Sequence, residues 1–219
     1  MTNQRTTLAD LLKYITVSAV LIACYPVTLS AQRARTGTIR ITDIEIEQVE
    51  SPKYDIQGRG VSVGGKKLQW LKITIEYESR GGEDGWIDEL TLDWNILMLN
   101  GRRPRLLMQK SVSYIDIWED EKEHYAVVYV RPRTILRHYN KKGKVKDRDL
   151  LIHLEAHVGE RMVAEYNFSK GRAKKVPERW WTFSTPQVNP LDDALLSRLE
   201  TPFAPLGYDR YECIKNETR

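Results

Sequence analysis

Cysteine is scarce in this chain: of two in 219 residues, one is Cys24 in the apolar N-terminal stretch and the other is Cys213 near the C-terminus. No disulfide framework can be built from them once an N-terminal leader is removed, so a hydrophobic core must hold the fold alone. Cys213 then stands as a leftover thiol, for pairing between chains or as a half-buried group in a reducing niche. Long apolar runs are lacking too. Beyond residue 31 no segment reaches the ~20 apolar residues that a spanning helix needs. The composition is also far from disorder, with 41% hydrophobic and 29% charged residues.

What is present first is an address. Arg5 and Lys13 charge the start, Ile15 to Leu29 carries no charge, and Leu29-Ser30-Ala31 offers the small residues that a signal peptidase requires before Gln32. Residues 1–31 read as a signal peptide, which places the mature protein outside the cytoplasm: periplasm, outer surface or secreted. Two other outcomes stay open. Leu21-Ile22-Ala23-Cys24 fits a lipobox, which would make Cys24 a lipidation site and anchor the protein to a membrane leaflet, although Tyr25-Pro26-Val27 continues the apolar run where a polar tether is usual. An uncleaved leader would serve as a short anchor.

The remaining 188 residues suffice for one sandwich-sized domain and a tail. Net charge is +4, of which Arg5, Asp10 and Lys13 supply +1. The basic residues cluster in Arg102-Arg103-Pro104-Arg105, Lys141 to Arg148 and Lys170 to Arg179. These clusters read as an anion-facing surface for lipopolysaccharide, acidic glycan or an acidic partner, or as solvated loops that maintain solubility. Nucleic acid is not expected as a partner, because export removes the usual target and no reader motif accompanies the charge.

Periodicity of two dominates up to residue ~185. Ile39 and Ile41 share one parity and Ile44 and Ile46 the other, which predicts a bulge near Thr42-Asp43. Leu71 to Tyr77 and Leu90 to Met98 alternate apolar with polar residues. Asn100-Gly101 is a two-residue turn signal, followed by a return strand from Leu106 to Ile117. Tyr125 to Val130 is an apolar strand stopped by Pro132. Ile152 to Val158 turns at Gly159-Glu160 into Met162 to Phe168. The pattern predicts an all-β fold, an antiparallel immunoglobulin-like sandwich of about seven strands over 32–185, with a closed barrel as runner-up. Over 186–219 it predicts a C-terminal helix and an extended tail packed on the sandwich. Asn189 would cap the helix, Pro190 would occupy its first turn, and Leu191, Leu195 and Leu199 would form one stripe.

Few motifs carry chemistry. Gly60 to Lys66 matches the start of a phosphate-binding loop, but Lys67 replaces the magnesium-holding hydroxyl and a strand follows where a helix is needed, so it reads as a loop between strands. His153, Glu155 and His157 share one strand face, yet the outer pair lies ~13 Å apart along a strand. A metal would require ligands from a neighbouring strand, so no metal ligand is assigned. Asp116, Glu119, Asp120, Glu121 and Glu123 crowd a turn and read as a solvated connection or a cation site rather than a glycosidase pair. No catalytic residue and no cofactor site is identified. Trp180-Trp181, flanked by Lys174 and Lys175, reads either as core and lid packing or, together with Lys144 and Lys146, as the candidate contact for a protein or glycan partner.

Tyr129-Val130-Arg131-Pro132, the tail from Thr201 to Leu206 and Tyr208-Asp209-Arg210-Tyr211, together with the order of strands, resemble an exported verrucomicrobial protein family with an immunoglobulin-like sandwich, linked to type IV pilus-like gene neighbourhoods. The resemblance covers most of the mature chain. It implies an envelope or pilus-associated interaction protein and brings no catalytic residues. The charged start before Ile15 lacks the Gly and Glu of a pilin processing site. The expected function is partner binding at the envelope, with a pilus or envelope protein or an acidic glycan as partner. The competing classes are a carbohydrate-active or metal-dependent enzyme on the same sandwich and a lipoprotein carrying an apolar ligand.

Overall fold

The structure, a computed structural model, describes residues 37–53, 55–56, 59–60, 68–82, 84–99, 105–119, 123–139, 144–171, 176, 178–182, 188–207 and 209–216. Residues 34–219 form one compact unit. Residues 1–31 with Cys24, residues 61–67, Asn100-Gly101 and Lys174-Lys175 lie outside the described residues.

Two sheets carry the fold. The first contains β1 (Thr38–Glu50), β4 (Gln69–Arg80), β7 (His124–Val130) and β11 (Leu195–Ser197), in the order β1-β4-β7-β11. The second contains β5 (Trp86–Met98), β6 (Arg105–Trp118), β8 (Leu150–Val158), β9 (Arg161–Ser169) and β10 (Val188–Pro190), in the order β10-β6-β5-β8-β9, with β12 (Cys213–Ile214) also pairing β6. A separate pair joins β2 (Asp55–Ile56) to β3 (Arg59–Gly60). All pairings are antiparallel except β10 with β6. Seven strands have seven residues or more, and five more of two or three residues bring the total above the expected seven. The short ones are too brief for a period of two to register. Among the described residues no ladder links the two sheets, so they do not close into the alternative barrel.

The alternating strands behave as their pattern requires. Leu71, Ile73, Ile75 and Tyr77 of β4 face Leu90, Leu92, Trp94 and Ile96 of β5 within one fully buried cluster between the sheets, a sandwich-like packing in which each such aliphatic side chain contributes about 1.5–3 kcal/mol. The register of β1 against β4 shifts between Ile41 and Asp43, as the parity change predicts. Gly159, at φ 60°, turns β8 into β9 with Val158 opposite Arg161, a true two-residue loop. The other hairpin differs. A two-residue loop at Asn100-Gly101 would set Met98 opposite Arg103, whereas Met98 faces Leu106, so the connection is three residues wider than expected. The Leu99 amide donates to the Asp149 carbonyl at 2.7 Å, which continues the β5–β8 ladder one residue beyond Met98 and Leu150.

Among the described residues of 188–216 there is no α-helix where one was expected, and the segment is built from short strands and a 3-10 turn. Pro190 continues β10 alongside Leu107. Asp193 adopts φ 53°, a left-handed conformation that interrupts any helix at that point. Leu195 and Leu196 then bury as β11 against β7, while Leu199 is 42% exposed, so the three leucines do not form one stripe. Ser197 and Glu200 do form a capping box, on a single 3-10 turn, Arg198–Glu200. The tail packs on the outer face of the four-stranded sheet, where Phe203 stacks on Tyr129 at 4.7 Å and meets Trp70 edge-on at 5.7 Å.

Candidate functional site

The outer face of the six-stranded sheet changes character along the strands. Adjacent residues of β5 and β8 pair as Leu97 with Leu151, Asn95 with His153, Asp93 with Glu155 and Thr91 with His157. The apolar end is covered: Trp180 packs on Leu97, Leu107, Leu151 and Val188 and is only 6% exposed. Trp180 and Trp181 lie on a 3-10 turn rather than a strand, edge to face at 5.6 Å. The expectation that Trp180 contacts a partner is therefore corrected, because its indole is core. Trp181 serves as the lid. Its ring stacks on His153 at 3.5 Å, and its backbone carbonyl accepts a bond from Gln109 Nε2 at 3.3 Å. Trp181, Phe168 and Asn167 also line a groove of about 410 Å³.

Beneath that lid His153 is fully buried and satisfied at both nitrogens, with Nδ1 2.9 Å from Asn167 Oδ1 and Nε2 2.9 Å from Glu155 Oε1. The bond from His153 holds the Glu155 carboxyl below its ordinary range, against the upward pull of desolvation. Next along the strands, the β8–β9 register shifts between Ala156 and His157, whose partners are Ala164 and Met162. Such a bulge re-aims side chains. His157 Nε2 lies 3.5 Å from Glu155 Oε2 and 3.4 Å from Asp93 Oδ2 on β5. His153, Glu155 and His157 were legible as one face of a strand. Asp93, the partner from the neighbouring strand, was not singled out, although its place in the alternating β5 pattern put it on a polar face.

The remaining surface residues separate. Lys144 and Lys146 are exposed, and Lys170 Nζ reaches Asp147 Oδ2 at 3.3 Å, which joins the end of the first basic segment to the start of the second. In the crowded acidic turn, Glu119 Oε2 accepts from the Gly82 amide at 3.0 Å and Glu123 accepts from the Tyr125 hydroxyl at 2.8 Å, so these carboxylates brace loops. Cys213 is an exposed free thiol on β12. An aromatic site that the sequence reading missed lies at the start of β5 and end of β6. Trp86 and Trp118 are cross-strand partners, stacked at 6.1 Å and 24°, and 46% and 54% exposed. Their parity relative to the buried Ile87 and Ile117 was the available signal.

A protein-family model matches residues 30–218 of this chain. The chain belongs to that family. The matched range includes the C-terminal strands through β12. A crystal structure of a protein from the verrucomicrobium Akkermansia muciniphila is similar at 24% identity, over 83% of this chain and 95% of that one, with a TM-score of 0.68. The verrucomicrobial resemblance is thus met at the level of fold. No curated protein matches the chain.

Proposed function

We propose that this chain is an exported, non-enzymatic interaction protein of the cell envelope, an immunoglobulin-like sandwich that binds a protein or glycan partner, in the manner of the pilus-associated proteins it resembles. The observation that carries this reading is the Trp86–Trp118 pair. Two large indoles stacked on one another and half open to solvent form an exposed aromatic platform, and aromatic residues are enriched at interface centres and at sugar-stacking surfaces. The platform is built on fixed backbone: the Glu119 amide donates to the Gly85 carbonyl at 2.7 Å while its carboxylate holds Gly82. The leader supports export, and the absence of catalytic residues carried by the resemblance supports a binding role.

The test is capture from a native envelope fraction by the wild-type protein and by a Trp86→Ser, Trp118→Ser variant, with and without competing oligosaccharides. The variant should bind about 30-fold or more weakly, the effect of losing an aromatic hot spot. Competition by oligosaccharide assigns a glycan, and its failure assigns a protein. Equal capture by both proteins would overturn the platform as the contact.

A further inference from the structure

We propose that Asp93, Glu155 and His157 form a binding site for a divalent transition-metal cation of the zinc class on the outer face of the six-stranded sheet. One ligand atom from each lies within 4.8 Å of the others. Four ligands placed ~2.1 Å from a zinc ion at tetrahedral angles are separated by about 3.4 Å. The His157 nitrogen sits 3.4 and 3.5 Å from the two carboxylate oxygens, the edge of such a tetrahedron and longer than a hydrogen bond between these groups, ~2.8 Å.

Three further features point to a cation. First, Asp93 faces Glu155, and Glu155 in turn faces Glu165 on β9, which lines up three carboxylates across adjacent strands. Like charges directly opposite are destabilising, and among the described residues their ion pairs are all with histidine. Second, His157 Nε2 is buried and makes no well-formed hydrogen bond, its contacts being the two long ion pairs to Asp93 and Glu155, a spacing that a metal taking up its lone pair would fill. Third, Glu155 is already oriented. His153 Nε2 holds its Oε1 at 2.9 Å, leaving Oε2 for the cation, which is the outer-shell support that metal ligands ordinarily receive. The donor set of one imidazole and two carboxylates suits zinc, manganese or iron better than calcium or magnesium, which prefer oxygen alone. Three protein ligands leave a fourth position for water or for a group presented by a ligand.

Titration of untagged, EDTA-stripped protein with Zn²⁺ alone, followed by calorimetry and thermal unfolding, tests the proposal. One equivalent should bind, and at one hundred times Kd the melting temperature should rise by about 5–10 °C. His157→Gln and Asp93→Asn should each bind at least about tenfold more weakly. Because Asp93→Asn removes a like charge, it should not lower the metal-free melting temperature. Wild-type protein loaded with Co²⁺ should show the intense visible bands of four-coordination, a readout independent of the variants. No stoichiometric binding, equal affinity in both variants, an octahedral Co²⁺ spectrum, or an equal thermal shift with Ca²⁺ would overturn it.

Discussion

At the scale of the residue, burial and partner decide what each polar group can do. Arg198 is only 2% exposed, and its Nη1 donates to the carbonyls of Ala204 and Leu206 while the guanidinium lies over the face of Tyr211, tying the tail to its own turn. The buried phenols are a second case. Burial pushes Tyr77, Tyr114 and Tyr129 well above the ordinary tyrosine range. Burial and the hydrogen bond from its hydroxyl to Asp149, at 2.7 Å, push Tyr139 up to about 12. A raised folded value favours the neutral form. The stability it contributes is fully present below the unfolded value near pH 10 and is lost as pH rises through the folded one. An ultraviolet titration should therefore show these four of the 11 tyrosines ionising only as the circular-dichroism signal collapses. Simultaneous ionisation of every phenol with the fold intact would contradict their burial.

At the scale of the element, close backbone approach matters more than pattern. Gly82 precedes β5 where a Cβ would sit 2.1 Å from the Trp86 carbonyl oxygen, a backbone atom that cannot swing aside. Gly82→Ala should force the 81–85 loop off the start of β5, costing about 1–3 kcal/mol of overpacking. That corresponds to a melting temperature lower by about 3–10 °C. Altered fluorescence from Trp86 and Trp118 should accompany it, and an unchanged melting curve would mean the loop relaxes freely. The register of β5 and β6 carries a related lesson. Asn100-Gly101 is a good turn dipeptide, yet Met98 pairs with Leu106, so the register of the long β5–β6 ladder rather than the dipeptide sets the width of the connection.

At the scale of the whole molecule, the two sheets share one core, and each covers its outer face differently. The four-stranded sheet wears the aromatic tail, and the six-stranded sheet wears the Trp180–Trp181 turn at one end and a polar strip at the other. The ion pair of Lys170 with Asp147 brings the end of the first basic segment to the start of the second, so a combined potential is expected there. Retention on heparin or lipopolysaccharide should be measurable at low salt and should weaken steeply at physiological salt, as exposed charges are screened beyond ~8 Å. A Lys144, Lys146, Lys174 and Lys175 to Glu variant should lose it. Equal, weak retention of both proteins would mean that the basic segments only solvate the surface.

Local chemistry by itself determined the long strands, the bulge at Thr42-Asp43, the Gly159-Glu160 turn and the stop at Pro132, because alternation, parity and turn residues act within a few positions. Only the tertiary structure decided the rest. The Leu191, Leu195 and Leu199 spacing has a helical period, yet β7 offers an unpaired edge that takes Leu195 to Ser197 as a strand, a gain no local propensity contains. Trp180-Trp181 was legible as core and lid, but which surface it covers depends on Leu97, Leu107 and His153, from three different strands. The polar trio shows the same division. His153, Glu155 and His157 were visible as one face, at spacings too wide for one ion along a straight strand. Strand pairing supplied Asp93 from 62 positions before Glu155, and the ladder shift at Ala156 set His157 beside both carboxylates. Register between strands distant in sequence is set by packing of the shared core, which is why the sequence alone could name the residues but not bring them together.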